Sequence, residues 1–319
     1  MKKALIFGIN GQDGRLLSEI LLKKNYKIIG THYKNIKKNS DFNFVKVNIL
    51  DFEGVKKIIK RYKPNEIYNF TGISDLKTNE DNFFQSEKIN NLAVINILSS
   101  IKNTKIKFFQ SISSEIYGNY KYSKKINLKT PYNPSSSYAI AKLSSLFYIK
   151  MFRERFNTHC VAGIFFNHES EYRKNKFVTK MITENLCKIK LGKKKQLFIG
   201  NLNAKRDWGY AKDYVEIAWK ALNYKKPKDY LIGSGKLYSV KDIVNIASKY
   251  YDIKLKWKTQ GDYIFGVNQK NKKIIKSPVN KNFRFKSIYA DNSEIKKLFN
   301  YKASKNFKEL IELMCSAEK

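Results

Sequence analysis

The sequence predicts an α/β protein, a doubly wound parallel sheet with a smaller C-terminal substrate-binding lobe. Three observations lead to this fold class. A glycine-rich turn at residues 8–14 separates an apolar run from an amphipathic run. Short apolar runs alternate with amphipathic runs through the first half, and this alternation loosens after about Asn167. Strands that alternate with helices favour a parallel sheet, with a ligand site at the carboxyl ends of the strands.

The individual elements follow from these runs. Short apolar runs predict strands at residues 3–7, 27–30, 44–47, 66–70, 107–110 and 160–166. Amphipathic runs predict helices at residues 12–24, 52–62, 84–101 and 136–156. The last helix has a recognisable start, because Pro134 is followed by three serines, and serine favours a helix N-terminus.

The predicted organisation has two parts. Residues 1–166 form the dinucleotide-binding domain, to which later segments return, and residues 167–319 form mainly the substrate lobe, from loops and short helices. The basic run at residues 190–195 is expected to be a solvated loop. The polar, lysine-rich residues 260–281 are expected to form an irregular excursion or flap.

The glycine-rich turn has the chemistry of a dinucleotide site. Gly8 allows a tight turn, Gly11 removes a side chain where a pyrophosphate must approach, and Gly14 lets the helix pack close to the strand. The spacing is GxxGxxG. A cluster of turn glycines without a ligand is the alternative, and the motifs further along the chain favour the dinucleotide site.

The net charge of +36 raises the question of nucleic-acid or membrane binding. Lysine is scattered over every segment, whereas arginine, which pairs bidentately with guanine, occurs at only seven positions. We therefore expect a solvated lysine surface that attracts an anionic substrate, with no nucleic-acid partner and no membrane partner. The three cysteines are far apart and form no CxxC pair, which favours reduced thiols, a cytoplasmic location and no metal site.

Tyr138 and Lys142 form a YxxxK pair, which lies on one face of a helix. A lysine cation beside a phenol lowers a pKa that is normally about 10, and the tyrosine can then act as general base for an alcohol. Seven other tyrosines of the chain also have a lysine four residues later. The place of Tyr138, at a helix start shortly after the fifth strand, distinguishes it from them.

The fifth strand leads into the segment QSISSEIYG at residues 110–118, which carries hydroxyls and a carboxylate. The carboxyl end of a strand faces the ligand in a doubly wound sheet, so Ser113 and Glu115 are expected near Tyr138. A polar loop that ends in a turn at Gly118 is the alternative.

Together these segments resemble the extended short-chain dehydrogenases/reductases, which have a Rossmann fold, and specifically the GDP-mannose 4,6-dehydratases. GxxGxxG and YxxxK are typical of the superfamily, whereas FNHES and the long block ending in DYVE are typical of the family. The matching segments are GINGQDG (8–14), PNEIYNF (64–70), SSEIYG (113–118), YAIAKL (138–143), FFNHES (165–170), FVTKMIT (177–183) and GNLNAKRDWGYAKDYVE (200–216).

The resemblance implies a role for each catalytic candidate. Tyr138 takes the proton of the C4 hydroxyl while hydride passes to the nicotinamide, and Ser113 hydrogen-bonds the same oxygen. Lys142 holds the cofactor ribose. Glu115 removes the C5 proton, which the 4-keto group acidifies, and assists loss of the C6 hydroxyl as water; hydride then returns to C6. A simple dehydrogenase or epimerase has no step that needs Glu115.

The implied cofactor is NADP rather than NAD. No acidic residue follows the second strand before Asp41 to hold a ribose 2′-hydroxyl, and Lys34 suits a 2′-phosphate. The expected cofactor contacts are Gly8, Asn10, Gly11, Gln12, Asp13, Gly14, Lys34, Asn48, Ile49, Phe70, Thr71, Gly72, Ser74, Tyr138, Lys142, His168 and Arg173.

The implied substrate is a GDP-sugar, with GDP-mannose as the first candidate. The positions that match substrate contacts are Asn167, Lys180, Arg206 and Arg284. Arg206 suits a diphosphate as a planar bidentate donor, although a structural pair with Asp207 or Asp213 is the alternative. Departures at residues 73–75 and around Arg284 leave room for another sugar, such as a manno-heptose, or for a reaction that ends at C4. A degenerate Rossmann protein that binds RNA is the remote alternative, and the presence of all four catalytic candidates argues against it.

The expected assembly is a homodimer, with a tetramer as the alternative. In this superfamily the helices that correspond to residues 84–101 and 136–156 pair across a two-fold axis. Apolar stripes on these helices suit that contact, but they could equally face the sheet. The stripes are Leu92, Ile95 and Leu98 on the first helix and Leu143, Leu146 and Ile149 on the second, where Phe147 and Tyr148 add another face. The short segment after Lys34 argues against a tetramer.

Overall fold

The computed structural model describes residues 1–32, 43–74, 82–118, 120, 122–279 and 287–318. The strands are β1 Lys3–Phe7, β2 Lys27–His32, β3 Asn43–Lys46, β4 Glu66–Asn69, β5 Lys107–Ser113, β6 Lys124–Ile126, β7 Cys160–Phe165, β8 Asn167–Glu169, β9 Leu197–Phe198, β10 Lys205–Arg206, β11 Trp208–Tyr210, β12 Asp229–Ile232, β13 Tyr238–Ser239, β14 Lys256–Gln260, β15 Tyr263–Val267, β16 Lys273–Pro278 and β17 Ile288–Ala290. The α-helices are α1 Gln12–Lys23, α2 Phe52–Tyr62, α3 Phe83–Glu87, α4 Ala93–Ile101, α5 Ser137–Phe156, α6 Val178–Lys190, α7 Ala211–Leu222, α8 Val240–Tyr250, α9 Ser293–Phe299 and α10 Phe307–Ser316.

A parallel sheet of seven strands forms the centre of the protein, as predicted. Its order is β12-β7-β5-β4-β1-β2-β3. The strands expected from the apolar runs are all present, and each begins or ends within three residues of its predicted limits. Chain order reverses between β1 and β4, and a crevice for ligands opens at such a point of a parallel sheet.

Helices cover both faces of this sheet. One face packs against α2, α4 and α5, and the other packs against α1, α7 and α9. Strand β12 and helices α7 and α9 come from beyond residue 167 but join these two apolar cores. Leu98, Leu146 and Ile149 are buried in the core under α4 and α5, so these members of the apolar stripes face the sheet rather than solvent.

A third apolar core lies within the second half of the chain, among α6, α8, α10 and a four-stranded sheet. This sheet has the order β14-β15-β16-β9, and its first three strands are antiparallel. The expectation of an irregular excursion at residues 260–281 was therefore wrong for the residues described. The side chains of Trp257, Ile264 and Ile275 pack against the third core, and Trp257 stands between two exposed lysines. Successive side chains of a strand point to opposite faces, so a strand rich in lysine can still bury one face.

Two further expectations concern the surface. Helix α6 ends at Lys190, and the exposed residues 191–195 follow it as a turn, as expected of a solvated basic run. Within the described residues, the structure contains no helix that is both long enough and apolar enough to span a membrane. The division of the chain at residue 166 stays a prediction.

Candidate active site

A cavity of about 640 Å³ opens at the carboxyl ends of the central strands. Strands β4, β5 and β7 lead directly into its walls, and α5 and the start of α6 complete them. The predicted site residues that line this cavity are Asp13, Phe70, Thr71, Gly72, Ser74, Ser113, Glu115, Tyr138, Lys142, Asn167, His168, Arg173 and Arg206. All four catalytic candidates are therefore brought together in one place.

The glycine-rich turn forms the entrance to α1. Gly8 has a φ of +82°, a value that suits glycine, and its carbonyl accepts a hydrogen bond from the Gly11 N–H at 3.0 Å. A Cβ on Gly14 would lie 2.4 Å from the Gly8 oxygen, so a side chain there would force α1 away from β1. Gly11 brings no side chain to the first turn of α1. The turn thus leaves backbone N–H groups at a helix N-terminus, which is the arrangement that binds a pyrophosphate.

Ser113 and Glu115 sit where β5 turns into a short 3₁₀ helix. Ser113 ends the strand, and its hydroxyl oxygen accepts a hydrogen bond from the Glu115 N–H at 3.2 Å. This turn directs both side chains into the cavity from the end of the strand. Hydroxyl and carboxylate are therefore neighbours along one wall, opposite the start of α5.

Tyr138 and Lys142 project from the first turns of α5. The helix is capped by Ser136, whose hydroxyl oxygen accepts from the Ala139 N–H at 3.2 Å, so the serine run starts the helix as expected. Lys142 is buried, and its Nζ donates to the Ser111 carbonyl at 3.0 Å. The same Nζ lies 6.0 Å from the centre of the Tyr138 ring.

The acid–base properties of this pair differ from the expectation. Burial raises the pKa of Tyr138 to about 12; the Ser113 side chain opposes the rise, and the charge of Glu115 adds to it. Burial also lowers the pKa of Lys142 to about 8, against the attraction of Asp13. The prediction that Lys142 lowers the pKa of Tyr138 was wrong for the protein without ligands, because desolvation dominates and the ammonium group is directed at Ser111.

The Gly72 loop is fixed by a residue that sequence reasoning missed. Asn90 is fully buried in a π-helical turn, Lys88–Leu92, between α3 and α4. Its side chain both donates to and accepts from the backbone of Ile73, each at 3.2 Å. The backbone carbonyl of Asn90 accepts from the Ser145 hydroxyl of α5 at 2.6 Å. One residue therefore joins the loop beside the cavity to α5, through its side chain on one side and its backbone on the other, and no local sequence pattern signals such a turn.

Asp13 and His168 form an ion pair across the cavity. His168 Nε2 lies 3.0 Å from one carboxylate oxygen of Asp13 and 3.1 Å from the other. Although burial opposes both shifts, the pair raises the pKa of His168 and holds the pKa of Asp13 below its ordinary value. Gln12 strengthens this junction, since its side chain donates to the His168 carbonyl and accepts from the Ser170 hydroxyl.

Arg173 is held by a second buried carboxylate. Its Nε lies 2.9 Å from Glu169, and its guanidinium group lies 3.4 Å from the centre of the Phe177 ring. Glu169 also accepts a hydrogen bond from the Thr179 hydroxyl at 2.7 Å. Glu169, Thr179 and Phe177 were not among the predicted site residues, although all three lie in the segments that carried the resemblance.

Several predicted site residues lie elsewhere. Asn48 lines a separate cavity of about 400 Å³ beside α2, and Ile49 is buried in the core. Lys180 does not line the main cavity, because its Nζ pairs with Glu318 at 2.8 Å; its expected contact with substrate is not supported. Lys34 and Arg284 lie outside the described residues.

Among the described residues, no cluster of three or more His, Cys, Asp or Glu side chains could hold a metal ion. The carboxylates of Asp207 and Asp213 accept hydrogen bonds from Ser234, Ala290 and Ser304. The side chain of Arg206 is part of the cavity wall.

The charge on His168 predicts a pH dependence of stability. A histidine with a raised pKa stabilises the fold fully below its unfolded pKa of about 6.5, and this contribution is lost as pH rises through the folded value. Asp13, whose pKa is lowered, stabilises the fold above its unfolded pKa and loses this contribution only as the pH falls through its folded pKa. In urea unfolding, the stability advantage of the wild type over His168→Asn should therefore be larger at pH 6 than at about pH 8.5.

His159 provides a matched control, because burial lowers its pKa. The advantage of the wild type over His159→Asn should instead grow with pH, since the unfolded chain binds the additional proton. An equal advantage over His168→Asn at both pH values would contradict the charged pair.

Comparison with known proteins identifies the family. The profile described as GDP-mannose 4,6 dehydratase matches residues 5–314. The GDP-mannose 4,6 dehydratase of Dictyostelium discoideum is 32% identical over 344 aligned positions. The aligned region covers 99% of this chain and 96% of that protein. The enzyme of that name from Homo sapiens is also 32% identical, with coverage of 99% and 91%.

Solved structures of lower identity share the fold. UDP-glucose 4-epimerase from Thermotoga maritima, with UDP-glucose, has a TM-score of 0.83 at 17% identity and coverage of 99% and 98%. RMD from Pseudomonas aeruginosa, with NADPH, has a TM-score of 0.82 at 14% identity and coverage of 100% and 99%. dTDP-glucose 4,6-dehydratase from Bacillus anthracis, with NAD, has a TM-score of 0.80 at 20% identity and coverage of 99% and 96%. The profile match over residues 5–314, together with relatives that are 32% identical over nearly the whole length, establishes that this chain belongs to the GDP-mannose 4,6-dehydratase family.

Proposed function

We propose that the protein is a GDP-mannose 4,6-dehydratase, which converts GDP-mannose to GDP-4-keto-6-deoxymannose. Family membership supports this, and the observation that carries it is the presence of Glu115 in the same cavity as Ser113 and Tyr138. Oxidation at C4 alone requires one acid–base group, whereas loss of water across C5 and C6 requires another. A second carboxyl group beside the tyrosine supplies it.

The proposed mechanism divides the chemistry between two side chains. Tyr138 accepts the proton of the C4 hydroxyl, with Ser113 hydrogen-bonded to the same oxygen. A nicotinamide held by the glycine-rich turn and the Gly72 loop would supply the hydride chemistry that joins C4 to C6. Glu115 removes the C5 proton and passes a proton to the departing C6 hydroxyl, which leaves as water. The sugar loses one water, and no net oxidation occurs.

Burial and nearby charges set how readily Tyr138 gives up its proton. Burial makes the largest contribution and raises the pKa of Tyr138 to about 12, and the charge of Glu115 adds to this rise. Tyr138 needs a nearby positive charge to act as base near neutral pH, and an oxidised nicotinamide carries one. Arg173 acts in the same direction from within the protein, because its charge lowers the pKa of Tyr138.

We place the cofactor across the glycine-rich turn and the Gly72 loop, within residues 1–166, and the GDP portion toward Arg206 and Asn167 in the second half. Arg206 is the cation suited to the diphosphate, as a fork of N–H donors in the cavity wall. The three cysteines are free and buried, which supports a cytoplasmic protein with reduced thiols.

The main rival is an enzyme of the same fold that acts on another GDP-sugar, such as a manno-heptose, or that stops after C4 chemistry. Ser74 lines the cavity in a loop that departs from the family pattern, so the sugar pocket can differ from that of the relatives. Mass spectrometry of the products from a panel of GDP-sugars separates these possibilities.

Replacing the proposed C5 base should separate the two chemical steps. In Glu115→Gln, C4 oxidation should survive while product formation falls by about 100-fold or more, because general base catalysis supplies about that factor. The absorbance of reduced cofactor should then build up to at most one equivalent per site. Glu154→Gln, on the exposed face of α5, is the control and should behave as wild type. Water loss at an undiminished rate in Glu115→Gln would exclude Glu115 as the base.

We propose NADP as the cofactor, because Lys34 suits a ribose 2′-phosphate and no acidic residue follows β2 before Asp41. Lys34→Glu should reverse or erase a preference for NADP over NAD, measured as the ratio of kcat/KM for the two cofactors. Lys27→Glu, the same charge change at the opposite end of β2, should leave the ratio unchanged. A wild-type enzyme that uses NAD and ignores NADP would refute this assignment.

We propose a dimer built on α3, α4 and α5. Leu98, Leu146 and Ile149 of these helices face the sheet, but other apolar residues are exposed. Phe84 is 82%, Ile140 55% and Phe147 53% exposed. Single exposed apolar residues are ordinary, but several on two helices that pack against each other, α3 and α5, favour an interface.

Light scattering at micromolar concentration and moderate salt should show a dimer. Phe147→Asp should give a monomer, because a buried unpaired charge at the interface is costly. Phe198→Asp, at a phenylalanine of similar exposure on β9, should remain a dimer. A wild-type monomer would contradict the helix contact, and a tetramer would contradict the inference from the short segment after Lys34.

A further inference from the structure

The backbone that carries Arg206 changes its strand partner at the next residue. Strand β10 pairs with β13, so that Arg206 lies opposite Tyr238. Strand β11 pairs instead with β8, and its first residue, Trp208, lies opposite Asn167. Asp207 lies between the two strands. The position of Asp207 therefore determines where Arg206 lies relative to β8, which also lines the cavity.

The side chain of Asp207 is almost completely buried and makes four hydrogen bonds. One carboxylate oxygen accepts from the Ser234 N–H at 2.8 Å and from the Ser234 hydroxyl at 2.5 Å. The other oxygen accepts from the N–H groups of Gly235 and Ala290, both at 2.9 Å. One carboxylate thus joins the Arg206 segment to the loop after β12 and to the end of β17.

The segments that Asp207 joins are themselves closely packed. A Cβ on Gly233 would lie 2.9 Å from the Asp207 carboxylate and 2.5 Å from the Ala290 side chain. Asn292 donates to the carbonyls of Gly233 and Ser234 from the other side of the loop. These contacts hold the loop after β12 in place. The Asp207 carboxylate, which is bonded to this loop, therefore fixes the position of the β10–β11 junction.

We propose that Asp207 is a positioning residue, which fixes Arg206 to receive the diphosphate of the substrate; the inference rests on the proposed function. Arg206 directly precedes Asp207 in the chain, and its Nη1 donates to the neighbouring Lys205 carbonyl at 2.8 Å. The fork of a guanidinium group binds a diphosphate well only at the right distance and angle. Loss of the anchor should therefore weaken substrate binding more than the chemical steps at C4 and C5, which depend on β5 and α5.

Asp207→Asn tests this with little change in shape. The oxygen that faces two backbone N–H groups must stay an acceptor, so the new NH2 group has to face Ser234 and leaves the Ser234 N–H without its acceptor. Such a loss leaves a buried donor unsatisfied and displaces the junction. We expect the KM for GDP-mannose and the Kd for GDP to rise about tenfold, while kcat and the KM for the cofactor change by less than about threefold.

Asp213→Asn is the matched control. Asp213 is also buried, follows six residues later, and accepts hydrogen bonds from the N–H and the hydroxyl of Ser304 at 2.9 and 2.5 Å. Its carboxylate joins α7 to the Ser304 segment, away from the cavity wall. Asp213→Asn should leave both the KM for GDP-mannose and the Kd for GDP unchanged. If Asp207→Asn does not fold, Ser234→Ala removes one of the four donors and should give a smaller rise in KM.

A double-mutant cycle distinguishes positioning from general stability. In an Arg206→Ala background, Asp207→Asn should add less than about twofold to KM, because its effect passes through Arg206. Full additivity would overturn the proposal, and so would an unchanged KM in Asp207→Asn or a rise of equal size in Asp213→Asn.

The experiment also separates this proposal from the proposed function. If the wild type binds GDP but does not dehydrate GDP-mannose, the proposed function fails, while the Kd for GDP still tests the role of Asp207. If the wild type binds no GDP at all, both are overturned.

Discussion

All strands of the central sheet run in the same direction, and this single constraint decides where chemistry can occur in the protein. The strand ends meet at one edge, so residues far apart in sequence become neighbours there. Gly8 follows β1, Thr71 and Gly72 follow β4, Ser113 ends β5, and Asn167 follows β7. The tight approach of α1 to β1 at Gly14 and the capped start of α5 then bring the N-terminus of α1 and Tyr138 to this same edge of the sheet.

Burial gives this cavity its electrostatic character. Tyr138 and Lys142 both resist ionisation, with pKa values of about 12 and about 8. Asp13 with His168, and Glu169 with Arg173, are paired, so the charges they bring into the wall are balanced. Burial therefore keeps the Tyr138 phenol protonated near neutral pH. Under the proposed function, an oxidised nicotinamide would bring a positive charge that favours loss of this proton, and Tyr138 would then be able to act as the base.

The sequence was sufficient for the sheet, its main helices and the placement of the four catalytic candidates at the strand ends, because these depend on local patterns: apolar period, the glycine turn and a helix start. The roles of the four candidates stay a prediction. It was insufficient where a residue acts through a distant contact. Asn90 and Asp207 act through hydrogen bonds to other segments, and nothing next to them in the chain reveals the partner. Lys180 lies in a matching motif but pairs with Glu318 near the C-terminus. The sheet from β14 to β16 was missed because its exposed lysines lower the mean hydropathy of this segment.

The central claim is that one active site oxidises C4, removes water and returns the same hydride to C6. Its most direct test follows the C4 hydrogen. GDP-mannose labelled with deuterium at C4 should be incubated with the purified enzyme and unlabelled cofactor, and the product examined by mass spectrometry and NMR. The account predicts a product that has lost one water and retains the deuterium at C6. A product of unchanged mass, or a dehydrated product with no deuterium at C6, would contradict it.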